Sequence, residues 1–140
     1  MTVRVERSFE LPASQAEVWE FIADPEKRAR PISVVEDFET TGETTAIWHV
    51  KLPIPRINRT ITVETQDIRR EEPRYVKFTG RSKAMNVQGE HTLESTDTGT
   101  RVINVFVVDG RLPGVETYFK RKLDDELKNL ENAIRDDLDV

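Results

Sequence analysis

The stretch PGVETYFKRKLDDELKNLENAI, residues 113–134, decides the fold because it predicts one long amphipathic helix. Its apolar residues recur at steps of three or four, the spacing that places side chains on one face of an α-helix. The apolar stripe consists of Val115, Phe119, Leu123, Leu127, Leu130, Ile134 and Leu138. A continuous helix over residues 113–137 would be about 25 residues and roughly 38 Å long, so it needs a broad apolar surface as its partner.

The rest of the chain predicts an antiparallel sheet as that surface. Residues 3–11 alternate between apolar and polar side chains, as a half-buried strand does. A meander follows, with turns such as TTGE, REEP and TDTG between its strands. These strands are predicted at residues 34–41, 44–52, 59–69, 74–81, 84–95 and 100–109. Such short links pair consecutive strands antiparallel, so the strands are expected to form one curved sheet. The apolar stripe of the helix is expected to cover the concave face of this sheet. An exposed, dimerising coiled coil is the weaker alternative, since the stripe steps by four more often than heptads allow.

Two short helices are predicted between the first and second strands. Ser14 is positioned as a helix N-cap, and Glu17 completes a capping box with it. This helix should end before Pro25, and a second helical turn should cover residues 25–29 before Pro31 stops it. Neither helix is long enough to cover the apolar stripe of the C-terminal helix.

Composition limits the kinds of site that the chain can build. A chain of 140 residues is long enough for one domain with one core, so the domain is predicted to span residues 1–140. Without cysteine there are no disulfides, thiolate nucleophiles or thiolate-bound metals, and two histidines make an imidazole-rich metal site unfavourable. We therefore predict no metal site and no cofactor.

Charge and hydropathy limit the partners. A net charge of -5 argues against nucleic acid, whose binding needs a clustered basic surface. The N-terminus, MTVRVERSF, lacks the pattern of a signal peptide, and there is no apolar run of about 18 residues that could cross a bilayer. These features predict a cytoplasmic protein with no stable membrane anchor.

Three segments resemble the helix-grip fold of the START-like superfamily. They are ERSFELPASQAEVWEFIADPEKRARP (residues 6–31), GEHTLESTDTGTRV (residues 89–102) and the C-terminal stretch PGVETYFKRKLDDELKNLENAI. They look like the polyketide cyclase/dehydratase-like branch and the branch that includes an accessory protein of carbon monoxide dehydrogenase. The resemblance implies an α+β fold of six to seven antiparallel strands around a long C-terminal helix. It also implies a cavity between sheet and helix, used in the superfamily by lipid carriers, hormone receptors, pollen allergens and cyclases.

Strand alternation places Arg7 on the inward face of the first strand, with Val5 and Phe9. A buried guanidinium needs an anionic or multiply accepting partner. Arg7 could bind a ligand, or it could lie near the cavity mouth with its head group reaching water.

The same alternation puts His91 and Asn104 side by side on the inward face. Pairing Leu93 with Val102 across the TDTG turn sets His91 opposite Asn104. His91 is predicted to line the cavity, with a structural histidine and a general base as alternatives. The sequence offers no nucleophile beside it and no acid at a diagnostic spacing, so no catalytic residue is assigned.

Four aromatic residues complete the predicted ligand-binding set: Trp48, Phe106, Tyr118 and Phe119. Phe106 shares the face of Asn104, and Tyr118 precedes the stripe residue Phe119 at the cavity edge. His49 alternates with Trp48 and is therefore expected at the surface.

These residues favour binding or carriage of a small hydrophobic or amphipathic molecule over the other function classes. A cyclase/dehydratase- or hydrolase-type enzyme using the same cavity is one alternative. An accessory protein of an oxidoreductase complex is the other, and both a protein partner and a homodimer are compatible with the sequence.

Overall fold

The computed structural model describes residues 2–55, 57 and 59–140, and within them the chain forms seven strands and three helices. The strands are β1 (Thr2–Leu11), β2 (Val35–Thr40), β3 (Thr45–Val50), β4 (Ile61–Glu71), β5 (Tyr75–Arg81), β6 (Met85–Ser95) and β7 (Thr100–Gly110). The helices are α1 (Gln15–Ile22), α2 (Pro25–Ala29) and α3 (Val115–Leu138). The element order confirms the predicted α+β helix-grip fold.

The strands form one antiparallel sheet in the order β1-β7-β6-β5-β4-β3-β2. Strands β2 to β7 follow one another as a meander, and β1 pairs with β7 at the far edge. The β6–β7 hairpin pairs Leu93 with Val102 and His91 with Asn104, as the TDTG turn predicted. The turn between β4 and β5 contains a cis peptide bond, Glu72–Pro73.

Helix α3 packs against β1 and β7 and covers the inner face of the sheet, the face that carries the buried residues of each strand. Six stripe residues are buried: Val115, Phe119, Leu123, Leu127, Leu130 and Ile134. The helix begins after Gly114, whose φ of 90° lies in the left-handed region that glycine adopts without strain. The predicted continuous helix is therefore confirmed, with its bounds shifted by one or two residues.

Helices α1 and α2 begin where their capping residues predict. The capping box is present, because Glu17 donates its backbone N–H to Ser14 Oγ and accepts the Ser14 backbone N–H on its carboxylate, each at 3.2 Å. Pro25 opens α2, and Asp24 accepts the backbone N–H of Glu26 at 2.9 Å. Buried residues of α1 then join the core between the sheet and α3.

The strand bounds differ most from prediction around β4. This strand covers Ile61–Glu71, two residues later than the predicted 59–69. The prolines of the stretch PIPRIN, residues 53–58, predict a stiff loop between two strands, but Arg56 and Asn58 of this stretch lie outside the described residues.

We expect Leu127→Ala to lower the free energy of unfolding by about 2–5 kcal/mol, because the Leu127 side chain is fully buried under the sheet. Urea unfolding followed by circular dichroism measures the loss. Lys128→Ala, at the next, exposed position of the same helix, is the matched control and should cost less than about 0.5 kcal/mol. Equal small losses for both variants would contradict the packing of α3 on the sheet.

Candidate ligand-binding site

A small apolar cavity lies between the inner face of the sheet and α3. Its volume is about 30 Å³, which is room for roughly one or two water molecules. It is lined by residues of the segment before β2, of β2, β3, β5, β6 and β7, and of α3: Ile32, Val34, Val35, Trp48, Val50, Phe78, Met85, Val87, Gln88, Phe106, Val107, Val108, Phe119, Leu123 and Glu126. Three residues of the predicted set, Trp48, Phe106 and Phe119, are among them.

Two phenylalanine rings form the floor of this cavity on either side of a glycine. Gly89 of β6 pairs with Phe78 of β5 and with Phe106 of β7. The two rings meet edge to face, with their centroids 5.9 Å apart. A Cβ atom on Gly89 would lie 2.1 Å from Cε1 of Phe78, so only glycine leaves room for this ring to cross β6.

His91 and Asn104 form the next cross-strand pair along β6 and β7, on the same face of the sheet as Gly89 and Phe106. His91 Nδ1 lies 2.8 Å from Asn104 Oδ1, and both side chains are fully buried. The imidazole stacks on Phe78 at 6.1 Å and meets Phe106 edge-on at 6.0 Å, measured between ring centroids. The predicted polar pair is thus present, but it contacts two lining residues of the cavity instead of lining the cavity itself.

Burial, the larger cause, and the positive charge of nearby Arg28 together lower the pKa of His91 from 6.5 to about 3, against the raising effect of the hydrogen bond with Asn104. The imidazole is therefore neutral at pH 7. A base with so low a pKa is poorly matched to proton abstraction at neutral pH. The pKa direction thus argues against the general-base interpretation.

Arg7 lies on the inner face of β1, opposite Asn104, but its guanidinium turns to α3. Its Nε donates to Glu131 Oε1 at 2.9 Å, and Arg135 donates to the other oxygen of the same carboxylate at 3.0 Å. Burial raises the pKa of Glu131, but these hydrogen bonds outweigh it and hold that pKa below its ordinary value. Arg7 connects β1 to α3 and is not among the residues that line the cavity.

The remaining predicted residues lie at the edge of the site or outside it. Tyr118 is half-buried and packs edge to face on Phe119, with 5.0 Å between ring centroids. Burial and the charge of Glu126 raise the pKa of its phenol. His49 lies on the side of β3 opposite Trp48 and contacts Glu39 of β2, as the strand alternation predicted.

A buried ion pair next to Phe78 was not predicted from the sequence. Arg28 of α2 forms a salt bridge with Asp67 of β4, and both side chains are almost fully buried. Arg28 also donates to the carbonyl of Ile22 at 2.7 Å, and Arg70 donates to Asp67 at 2.7 Å. The guanidinium carbon of Arg28 lies 5.4 Å from the centroid of Phe78. In the sequence, Asp67 follows Ile61 and Val63 at even spacing, so strand alternation could have placed it on the inner face.

A second missed residue, Glu126, is a buried carboxylate in the cavity wall. It accepts the backbone N–H of Ser33 at 3.1 Å, the Ser33 hydroxyl at 3.1 Å and an N–H of Asn129 at 3.1 Å. These bonds fix the segment between α2 and β2 to α3. Glu126 follows the stripe residue Leu123 by three positions, so the helical spacing could have placed it near the buried face.

Within residues 2–55, 57 and 59–140, no cluster of three or more histidine, aspartate or glutamate side chains is placed to hold a metal ion. In the same part of the chain, no helix combines the length and the apolar composition needed to cross a membrane.

Acid should destabilise the protein through His91. The unfolded chain takes up a proton near pH 6.5, whereas the folded protein does so only near pH 3. The stability contribution of neutral His91 is therefore complete above pH 6.5 and declines as the pH falls towards 3. Between pH 7 and pH 5 we expect a loss of about 2 kcal/mol in urea unfolding. The double variant His91→Phe, Asn104→Leu has no imidazole at position 91 and should not show this loss. An identical pH dependence of the unfolding free energy in the native protein and the variant would contradict the low pKa of His91.

Removing Asp67 should leave Arg28 buried without its counter-charge. We expect Asp67→Ala to lower the free energy of unfolding by about 3–5 kcal/mol. The control is Glu6→Ala, which breaks the exposed ion pair with Arg4 and should cost less than about 1 kcal/mol. A loss for Asp67→Ala as small as that of the control, in the same urea titrations, would contradict a buried ion pair.

Comparison with solved structures supports the same fold. A conserved protein from Geobacillus kaustophilus superimposes with a TM-score of 0.74 at 17% identity, covering 96% of this chain and 94% of that chain. A START superfamily protein from Mycobacterium smegmatis gives 0.74 at 12% identity, with 97% of each chain covered. The Zhui aromatase/cyclase from a Streptomyces species gives 0.66 at 18% identity, with 96% and 95% covered. These likenesses show the helix-grip fold alone.

Sequence comparison identifies the family. A search of the curated proteins found no match. The sequence profile of the family described as "Polyketide cyclase / dehydrase and lipid transport" matches residues 2–135, which is nearly the whole chain. Together with the fold, this match confirms the START-like resemblance, and the chain belongs to the polyketide cyclase/dehydrase and lipid transport family.

Proposed function

We propose that the protein binds a small hydrophobic or amphipathic molecule between the inner face of the sheet and α3. The observation that carries the proposal is the apolar cavity at this position, whose walls include Trp48, Phe106 and Phe119. Apolar and aromatic walls with few polar groups are typical of small-molecule sites. The family description includes lipid transport, and the similar Zhui protein is an aromatase/cyclase, so ligands of this chemistry are also what the comparisons favour.

Binding requires the cavity to enlarge. Its volume is about 30 Å³, whereas pockets for organic ligands usually measure about 300–1,000 Å³. Met85 is the lining side chain best suited to move, since an unbranched thioether changes rotamer easily. The segment between α2 and β2 carries the lining residues Ile32 and Val34 and is attached to α3 through the bonds from Ser33 to Glu126. Displacing this segment would open the cavity towards the edge of the sheet.

The surroundings of the cavity support binding more strongly than catalysis. Its walls are apolar apart from Gln88 and Glu126, and the Glu126 carboxylate already accepts hydrogen bonds from Ser33 and Asn129. His91 is the imidazole nearest the floor, and its pKa of about 3 leaves it neutral. A cyclase or hydrolase would need an acid or base facing the substrate, so we assign no catalytic residue.

Calorimetric titration with 1-methylnaphthalene tests the proposal. We expect saturable binding to the native protein and about tenfold tighter binding to Met85→Ala, because the smaller side chain leaves room that the ligand would otherwise have to create. Leu93→Ala is the matched control, since Leu93 is as fully buried as Met85 but lies outside the cavity wall. Its affinity should equal that of the native protein. Equal gains in both variants, or no binding to any of the three proteins, would contradict a ligand site at this cavity.

A further inference from the structure

The His91–Asn104 pair leaves two polar atoms buried without a partner. Among the described residues, three side-chain polar atoms are buried and unbonded, and His91 Nε2 and Asn104 Nδ2 are two of them. Each such atom loses its hydration on folding and gains no hydrogen bond in exchange, which destabilises the folded state. The two unbonded atoms belong to one hydrogen-bonded pair, so a single third group could bond both of them.

The hydrogen bond within the pair fixes what that group must be. Asn104 Oδ1 can only accept, so His91 Nδ1 carries the proton and donates to it. Nε2 of the neutral ring is then an acceptor, and Nδ2 of the amide is a donor. A group that satisfies both must donate one hydrogen bond and accept another, as a hydroxyl does. If the Asn104 amide is rotated by half a turn, His91 Nε2 becomes the donor and the free amide atom becomes an acceptor. The third group must still donate one hydrogen bond and accept another.

Alternative ligand groups satisfy only part of this position. A ketone or a carboxylate offers acceptors alone, and a hydrocarbon offers neither donor nor acceptor. A carboxylate would also need a counter-charge. The nearby guanidinium of Arg28 is already paired with Asp67, and the charged residue in the cavity wall is the anionic Glu126. The charge distribution therefore favours a neutral ligand.

The polar pair can join the cavity by movement of one aromatic side chain. Phe78 and Phe106 both line the cavity and both contact the imidazole of His91. Asn104 lies two residues from Phe106 on β7, on the same face of the sheet. If the Phe106 ring rotated, the cavity would extend along the strands to the next residue pair, His91 and Asn104. It would then reach His91 Nε2 and Asn104 Nδ2.

We infer that the ligand of this site is a neutral apolar molecule bearing a hydroxyl group, with His91 and Asn104 as the residues that select it. The hydroxyl donates to His91 Nε2 and accepts from Asn104 Nδ2, while the apolar body lies between Trp48 and Phe119. This inference rests on the proposed function and narrows its ligand class from small hydrophobic or amphipathic molecules to neutral alcohols and phenols.

Three naphthalenes that differ in one substituent test the inference by calorimetry: 1-naphthol, 1-methylnaphthalene and 1-naphthoate. We expect the native protein to bind 1-naphthol about tenfold or more tightly than 1-methylnaphthalene, because only the hydroxyl satisfies both buried atoms. The naphthoate should bind most weakly. The double variant His91→Phe, Asn104→Leu lacks both unbonded atoms and should lose the preference for 1-naphthol over 1-methylnaphthalene.

Nitrogen NMR of the native protein gives a readout that does not depend on the folding of the variant. Addition of 1-naphthol should shift the His91 Nε2 resonance upfield, as a new hydrogen bond to an unprotonated ring nitrogen does, and 1-methylnaphthalene should not. Equal affinities for these two molecules, or an unmoved resonance at saturation with 1-naphthol, would overturn the hydroxyl inference and leave the proposed function intact. Absence of binding by all three would overturn both.

Discussion

The packing of α3 on the inner face of the sheet is the contact on which the rest of the structure depends. The helix is too polar on its outer side to be buried all round, and its stripe of six buried residues needs an extended apolar surface. Strand β1 provides part of that surface because it pairs with β7, the last strand of the meander. The bond from Arg7 to Glu131 then fixes β1 to the helix from the side.

The same arrangement determines where polar groups can be tolerated. Arg28 and Asp67 are buried on the inner side of the sheet, but they neutralise each other. Glu126 is buried in the helix, but Ser33 and Asn129 donate to its carboxylate. His91 and Asn104 differ from these groups, because one bond joins them and the other polar atom of each remains unbonded. This contrast is the reason that we propose a binding role for the His91–Asn104 pair and a structural role for the ion pair.

Local patterns were sufficient to predict the fold and part of the site. Alternation defined the strands to within a few residues, the capping box defined the start of α1, and the hairpin turn alone set His91 opposite Asn104. The partner of Arg7 could not be predicted, because Glu131 lies 124 residues away in the chain. The salt bridge from Arg28 to Asp67 was missed because it depends on where α2 docks. Cavity volume depends on the sum of many side-chain packings, which no local pattern specifies.

The central claim is that the space between the sheet and α3 admits a hydroxyl-bearing apolar molecule and that the polar pair binds its oxygen. A crystal structure of the protein with 1-naphthol tests it most directly. We expect the naphthalene ring to lie between Trp48 and Phe119, the Phe106 side chain to be rotated, and the naphthol oxygen to lie within hydrogen-bond distance of His91 Nε2 and Asn104 Nδ2, roughly 2.7–3.2 Å. Naphthol bound only on the outer surface, with the Phe106 ring unmoved against the His91 imidazole, would contradict it.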